Sequence, residues 1–167
     1  MVEILELNYT QFQTVYNVLS FAVASMLAAT VFFLAVQGRV LPRYRAALIV
    51  SAMVTFIAGY HYIRIFNSFT EAYVAQGEGT PASGMTAMTY VFVNGDGFNE
   101  GYRYVDWLLT VPLLLFETVA VLALAPAVRK GLLLKLIPAS ALMIILGYPG
   151  EIALDNGTKA VWGVLST

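Results

Sequence analysis

An all-α membrane protein is the fold class this sequence predicts: its apolar residues fall in blocks of about 20, few charges interrupt them, and basic residues gather in alternate loops. Of 167 residues, 59% are hydrophobic and 11% charged, and the mean hydropathy is +0.75, which places the chain in a bilayer rather than in water. Cysteine is absent, so disulfide scaffolds, thiolate metal sites and cysteine nucleophiles are excluded. A net charge of −1 offers no basic surface for nucleic acid. The opening MVEILELN carries acids where a signal peptide needs a positive region, so no separate signal peptide is expected.

The first span is expected over about Phe12 to Val36, the second over about Ala46 to Phe66, the third over about Tyr102 to Leu124 and the fourth over about Leu132 to Tyr148. A fifth begins near Thr158. To Thr167 it reaches only about 15 Å, half the hydrocarbon thickness. The expectation is therefore a single transmembrane domain over residues 1–167, incomplete at its C-terminal end.

Arg39, Arg43 and Arg45 follow the first span, and Arg129, Lys130 and Lys135 lie between or at the edges of the third and fourth; these are six of the nine basic residues. That side is expected to be cytoplasmic. The N-terminus with Glu3 and Glu6, the loop from about Asn67 to Asn99, and a loop with Glu151 and Asp155 then lie outside. The long loop holds GEGTPASG followed by TYVFVNGDG. Asn94-Gly95 after an alternating run predicts a short β-hairpin between the second and third helices. The NGDG and GYPG glycines read as turns, and no enzyme motif is present, so no enzyme is expected.

Asp106, Thr110 and Glu117 carry the functional signal. At about 100° and 1.5 Å per residue, Thr110 lies roughly 40° and Glu117 roughly 20° from Asp106, with the two carboxyls about 16 Å apart along the axis. Carboxyls in hydrocarbon usually face a bundle interior or an aqueous cavity and mark an ion or proton path. Two acids snorkelling toward opposite interfaces is the alternative. His61, the one histidine, reads as a packing residue, since no second His or Cys supports a metal site. Met143 with Gly147, and Leu114, read equally as ordinary bundle core, and Gly163 as a glycine that lets helices approach.

The run RYVDWLLTVPLLLFE, Arg103 to Glu117, resembles the third-helix signature of the microbial (type 1) rhodopsins, with the Asp, Thr and Glu of proteorhodopsin-type proton pumps. AGYHYIRIFNSF, LMIILGYPGE and VWGVLST resemble the xanthorhodopsin branch, and the similarity spans nearly the whole chain. The resemblance implies a seven-transmembrane-helix bundle of which about the first four and a half helices are present. It also implies retinal, bound as a protonated Schiff base to a lysine of the seventh helix. Lys130, Lys135 and Lys159 lie in no such helix, so this segment alone is not expected to form the chromophore.

Carried over residue by residue, the resemblance makes Asp106 the counterion and proton acceptor, Glu117 the cytoplasmic proton donor, Thr110 a hydrogen-bonding neighbour of the Schiff base and Arg103 a tuner of the counterion. His61 becomes the counterion's partner, the pair titrating as a unit or coupling protomers. A donor must hold its proton at rest, and Glu117, among apolar neighbours with no cation in its own turn, is placed to do so. Trp107, Leu114, Met143 and Gly147 would line the polyene, with Tyr62, Ser166 and Thr167 as further candidates. Leu114 implies green rather than blue absorption. Gly163, after Trp162, stands where many relatives carry a bulky aromatic; in xanthorhodopsin-like pumps that glycine opens a window to a carotenoid antenna.

The expected function is a light-driven outward proton pump, possibly with that antenna. The expected location is the inner or plasma membrane, multi-pass, with the N-terminus outside, in a homo-oligomer of five or three copies. A sensory photoreceptor on the same scaffold and a non-photoactive truncated membrane protein are the alternatives.

Overall fold

A chain with this many apolar residues must satisfy its backbone polar groups within each segment, and helices do so. The computed structural model describes residues 6–76, 88–93, 101–122, 124–153 and 155–167. Among the described residues, four helices are long and apolar enough to cross a membrane: α1 (Tyr9–Val36), α2 (Pro42–Ala72), α3 (Gly101–Val121) and α4 (Pro126–Ile152). A shorter helix, α5 (Asn156–Leu165), and strands β1 (Glu6–Asn8), β2 (Tyr73–Gln76) and β3 (Thr89–Phe92) complete the described elements, with a 3-10 turn over Gln37–Arg39.

The starts of α1, α2, α4 and α5 have local causes. Asn8 and Gln11 form a reciprocal capping box, with the Gln11 N–H donating to Asn8 Oδ1 at 2.8 Å and the Asn8 N–H to Gln11 Oε1 at 3.0 Å. α2 and α4 begin on Pro42 and Pro126, whose fixed φ and missing N–H suit a first turn. Asp155 caps α5 by accepting the Thr158 N–H at 2.7 Å. Helices outrun the apolar blocks because a helix continues past the hydrocarbon edge while the hydropathy signal stops there. Hence Asn67 and Glu71, expected in a loop, are in α2, and Glu151, also expected in a loop, is in the last turn of α4.

Consecutive helices pack on one another, α1 with α2 and α3 with α4 across short connections. The α1–α2 and α3–α4 connections share one end, the basic end. A Thr30–Thr55 hydroxyl pair at 2.8 Å joins α1 to α2. At the other end the strands form a sheet in the order β1-β3-β2, antiparallel throughout, with Leu7 opposite Tyr90 and Ala75 opposite Tyr90. The expected hairpin is present, and β1 joins it as a third strand. Because β3 pairs with β2 upstream of it, the chain reverses between Gln76 and Thr89. Asn94-Gly95, expected at the turn, lies outside the described residues.

Phe12 fastens this sheet to the helices. Its ring stacks on Tyr90 at 3.8 Å between centroids and 2° between planes, and on Phe69 at 5.1 Å. Elsewhere large apolar side chains stand in the open: Phe21 is 74% and Val31 67% exposed. In water that would be a liability. On membrane-length helices it is the surface that lipid or further protein covers.

Candidate functional site

Asp106 and Thr110 are among the buried polar residues, 8% and 4% exposed. They share a face because four residues turn a helix by about 40° beyond one full circle. The Thr110 hydroxyl donates to the Asp106 carbonyl oxygen at 2.8 Å, so its proton is spent within α3. Asp106 Oδ1 is buried without a hydrogen-bond partner among the described residues. His61 of α2 is also buried, both ring nitrogens lacking such a partner. No hydrogen bond joins it to Asp106 among the described residues. Its ring meets that of Tyr60 edge-on at 5.2 Å.

A cavity of about 320 Å³ opens beside Asp106. Tyr62, Arg103, Trp107, Thr110 and Leu114 line it with Asp106, as do Met26 and Ala58 from α1 and α2. Its size falls at the lower end of small-molecule sites. A second cavity, about 270 Å³, lies between α3, α4 and α5, lined by Tyr104, Gly147, Gly150, Glu151, Lys159, Gly163 and Ser166. Arg103 reaches toward it, its Nη2 standing 3.4 Å from Glu151 Oε1, while the Tyr104 hydroxyl donates to Glu151 Oε2 at 3.4 Å.

The glycines divide their roles. A Cβ on Gly147 would meet the Tyr104 ring at 3.3 Å, and one on Gly150 would meet Trp162 Cβ at 3.0 Å. Gly150 is thus where α4 and α5 approach most tightly among these positions, and Trp162 is the residue that approaches it. A Cβ on Gly163 would meet nothing within 4 Å. The Gly163 backbone N lies 3.8 Å from the same Gly150 Cβ position, so both glycines sit at this approach. Met143 is half exposed and lines neither cavity. The Ser166 and Thr167 hydroxyls donate back to the Gly163 and Val164 carbonyls at 3.0 and 2.8 Å, closing the end of α5.

Glu117 lies about three turns from Asp106 toward the basic end. Ser51 Oγ stands 2.6 Å from Glu117 Oε1 and 3.1 Å from the Ala47 carbonyl oxygen. Neither Ser51 nor the Glu151 contact to Arg103 was foreseen from the sequence. A small hydroxyl in an apolar run is common in membrane helices, and an acid at the end of a span reads as a loop residue.

A buried carboxyl beside a cavity walled by aromatic and apolar groups, with a second carboxyl three turns along the same helix, lies within a multi-pass membrane protein. The chain belongs to the bacteriorhodopsin-like protein family, whose sequence profile matches residues 11–167. It is similar to the solved structure of xanthorhodopsin, described as a light-driven ion pump with dual chromophore: 46% identity, 98% of this chain and 62% of that one, TM-score 0.85. A thermophilic rhodopsin is similar at 48% identity over 96% of this chain and 60% of that one, TM-score 0.85. Among curated proteins, a green-light absorbing proteorhodopsin from a gamma-proteobacterium is 34% identical over 139 residues, 83% of this chain and 45% of its own length. The chain thus spans about half the length of the curated relatives it matches most fully. The family implies a retinal chromophore, and the multi-pass membrane fold follows from both the helices and the relatives.

The residues present fit retinal. A protonated Schiff base requires an anion in a dry cavity, and the partnerless buried Asp106 Oδ1 beside the apolar cavity offers one. None of Lys130, Lys135 and Lys159 lines that cavity.

Proposed function

We propose that the protein this chain belongs to is a retinal-dependent, light-driven outward proton pump. The observation that carries the reading is the pairing, on one face of α3, of a buried carboxylate oxygen without a protein partner at Asp106 with a second carboxyl at Glu117 that has one. Retinal, when bound as a protonated Schiff base, supplies the light-driven change in proton affinity. Tyr62, Trp107 and Leu114 shape the cavity that would hold it, and Leu114 favours green absorption. Gly147, Trp162 and Ser166 extend the candidate wall toward α5, with Thr167 beyond them, while Met143 stands outside both cavities.

Asp106 is the group placed to take a proton toward the sheet end, with His61 acting on its charge. Glu117 is placed to hold one on the basic side. A serine hydroxyl has one proton, yet Ser51 faces two acceptors, the Ala47 carbonyl and Glu117 Oε1. Both contacts become hydrogen bonds when Glu117 carries its own proton and donates it to Ser51. That arrangement favours a pump over a sensor, which has little use for a loaded inner carboxyl. Arg103, held by Glu151, lies one turn outward of Asp106 and would steer release there.

The basic end is read as cytoplasmic, which puts the N-terminus and the sheet outside. The reading includes a carotenoid antenna beside the retinal ring, with Gly163, after Trp162, as its window. The exposed apolar helix faces are compatible with a homo-oligomer of five or three copies. The test of the main reading is illumination of cells that express the complete gene and receive all-trans retinal. Acidification of the medium, abolished by a protonophore, is expected; coloured protein without light-dependent acidification would leave the sensory role.

A further inference from the structure

At the basic end, a groove of about 650 Å³ runs between α3 and α4, walled by Phe116, Ala120, Leu133 and Ile137 and rimmed by Arg129 and Lys130. Ile137 lies about 12 Å along the helix from Arg129, most of the roughly 15 Å depth of one leaflet. On α3, Phe116 and Ala120 stand roughly 80° and 40° to one side of Asp106, whereas Thr110, Leu114 and Trp107 stand roughly 40°, 80° and 100° to the other. The groove therefore opens on the flank away from the cavity beside Asp106. Both rim cations are exposed, and among the described residues neither is paired with an acid. α4 also starts there on Ala125 without a side-chain cap, adding a partial positive charge to the same rim.

We infer that this groove is a binding site for an anionic phospholipid, one acyl chain lying along Phe116, Leu133 and Ile137 and the phosphate meeting Arg129 and Lys130. An apolar trough alone would accept any lipid tail. Two unpaired cations at headgroup depth select a negative one, because juxtamembrane basic residues attract anionic lipid and basic pockets between helices hold its headgroups. Charge complementarity, with the match between groove length and leaflet depth, commits the site to this occupant.

The test uses the full-length protein in lipid nanodiscs with a Phe116→Trp reporter, its emission corrected by subtracting that of the parent protein under the same conditions. Phosphatidylglycerol and phosphatidylcholine, each with brominated acyl chains, are titrated in turn. Phosphatidylglycerol should quench at concentrations on the order of tenfold lower, the preference should shrink with added salt, and R129Q/K130Q should erase it while leaving phosphatidylcholine quenching unchanged. Equal quenching by both lipids, or a preference that survives the double substitution, would overturn the site. No quenching by either would also overturn it, since protein must then cover the groove. If Phe116→Trp misfolds, native mass spectrometry of the unaltered protein replaces it. Retained phosphatidylglycerol lost in R129Q/K130Q supports the site, and unselective adducts overturn it.

Discussion

Ser51 of α2 and Glu117 of α3 meet at 2.6 Å, across 66 positions of sequence. The contact gives Glu117 a partner on a second helix. Replacing Ser51 with Ala removes it. Since a hydrogen bond of this kind contributes roughly 1.5 kcal/mol, proton donation from Glu117 should change speed by about tenfold, with the resting colour unaltered. Flash spectroscopy of recovery after excitation would decide. Kinetics equal to the parent would mean that the serine only packs.

Glu117→Gln keeps a hydrogen-bonding partner for Ser51, since the amide can donate as well as accept, and removes the transferable proton. The resting spectrum should stay nearly unchanged while photocycle recovery slows strongly, and azide should restore its speed by carrying protons in place of the side chain. Normal recovery at neutral pH would remove Glu117 from the path.

Gly150 and Gly163 should respond to alanine with opposite signs. At Gly150 the new methyl meets Trp162 Cβ at 3.0 Å, and crowding two helix backbones costs about 1–3 kcal/mol. At Gly163 it meets nothing within 4 Å, so the fold keeps the roughly 0.5–1 kcal/mol that alanine gains over glycine in a helix. Thermal midpoints of the two variants measure this directly. A lower midpoint for Gly163→Ala would restore its packing role. Gly163→Trp addresses the antenna: it should abolish carotenoid-sensitised activity and spare retinal binding.

Asp155 should make the start of α5 sensitive to acid. The Thr158 backbone N–H, donating to its carboxylate, holds the group below the ordinary aspartate range. A depressed folded value means the cap contributes fully above the unfolded value, about pH 4, and is lost as pH falls through the lower folded one. Amide-exchange protection at Thr158 should decline over that interval, and Asp155→Asn should lose the dependence while keeping the cap. Protection that falls identically in both proteins would contradict this.

The Asp106–Thr110–Glu117 face was legible because helical periodicity fixes it within one segment, whatever surrounds it. The four spans were legible for the same reason, hydropathy being local. Their ends were not: Asn67, Glu71 and Glu151 are polar, so hydropathy stopped before the helices did. Ser51 was invisible because its meaning comes from Glu117 on another helix. His61 was placed correctly in a helix, but its burial without a hydrogen-bond partner required the neighbours to be in position. Gly150 reads in sequence as a turn glycine because it follows a proline, whereas it lies inside α4 and faces Trp162, a neighbour on another helix.

The central claim is that Asp106 takes the transported proton. Its most direct measurement compares light-driven proton release per pigment molecule in the full-length protein and in Asp106→Asn, both loaded with all-trans retinal in sealed vesicles. The parent should release protons on each flash, whereas the variant, red-shifted because its anion is gone, should release none. Release from Asp106→Asn at the parental rate would contradict the claim and move the acceptor to another residue.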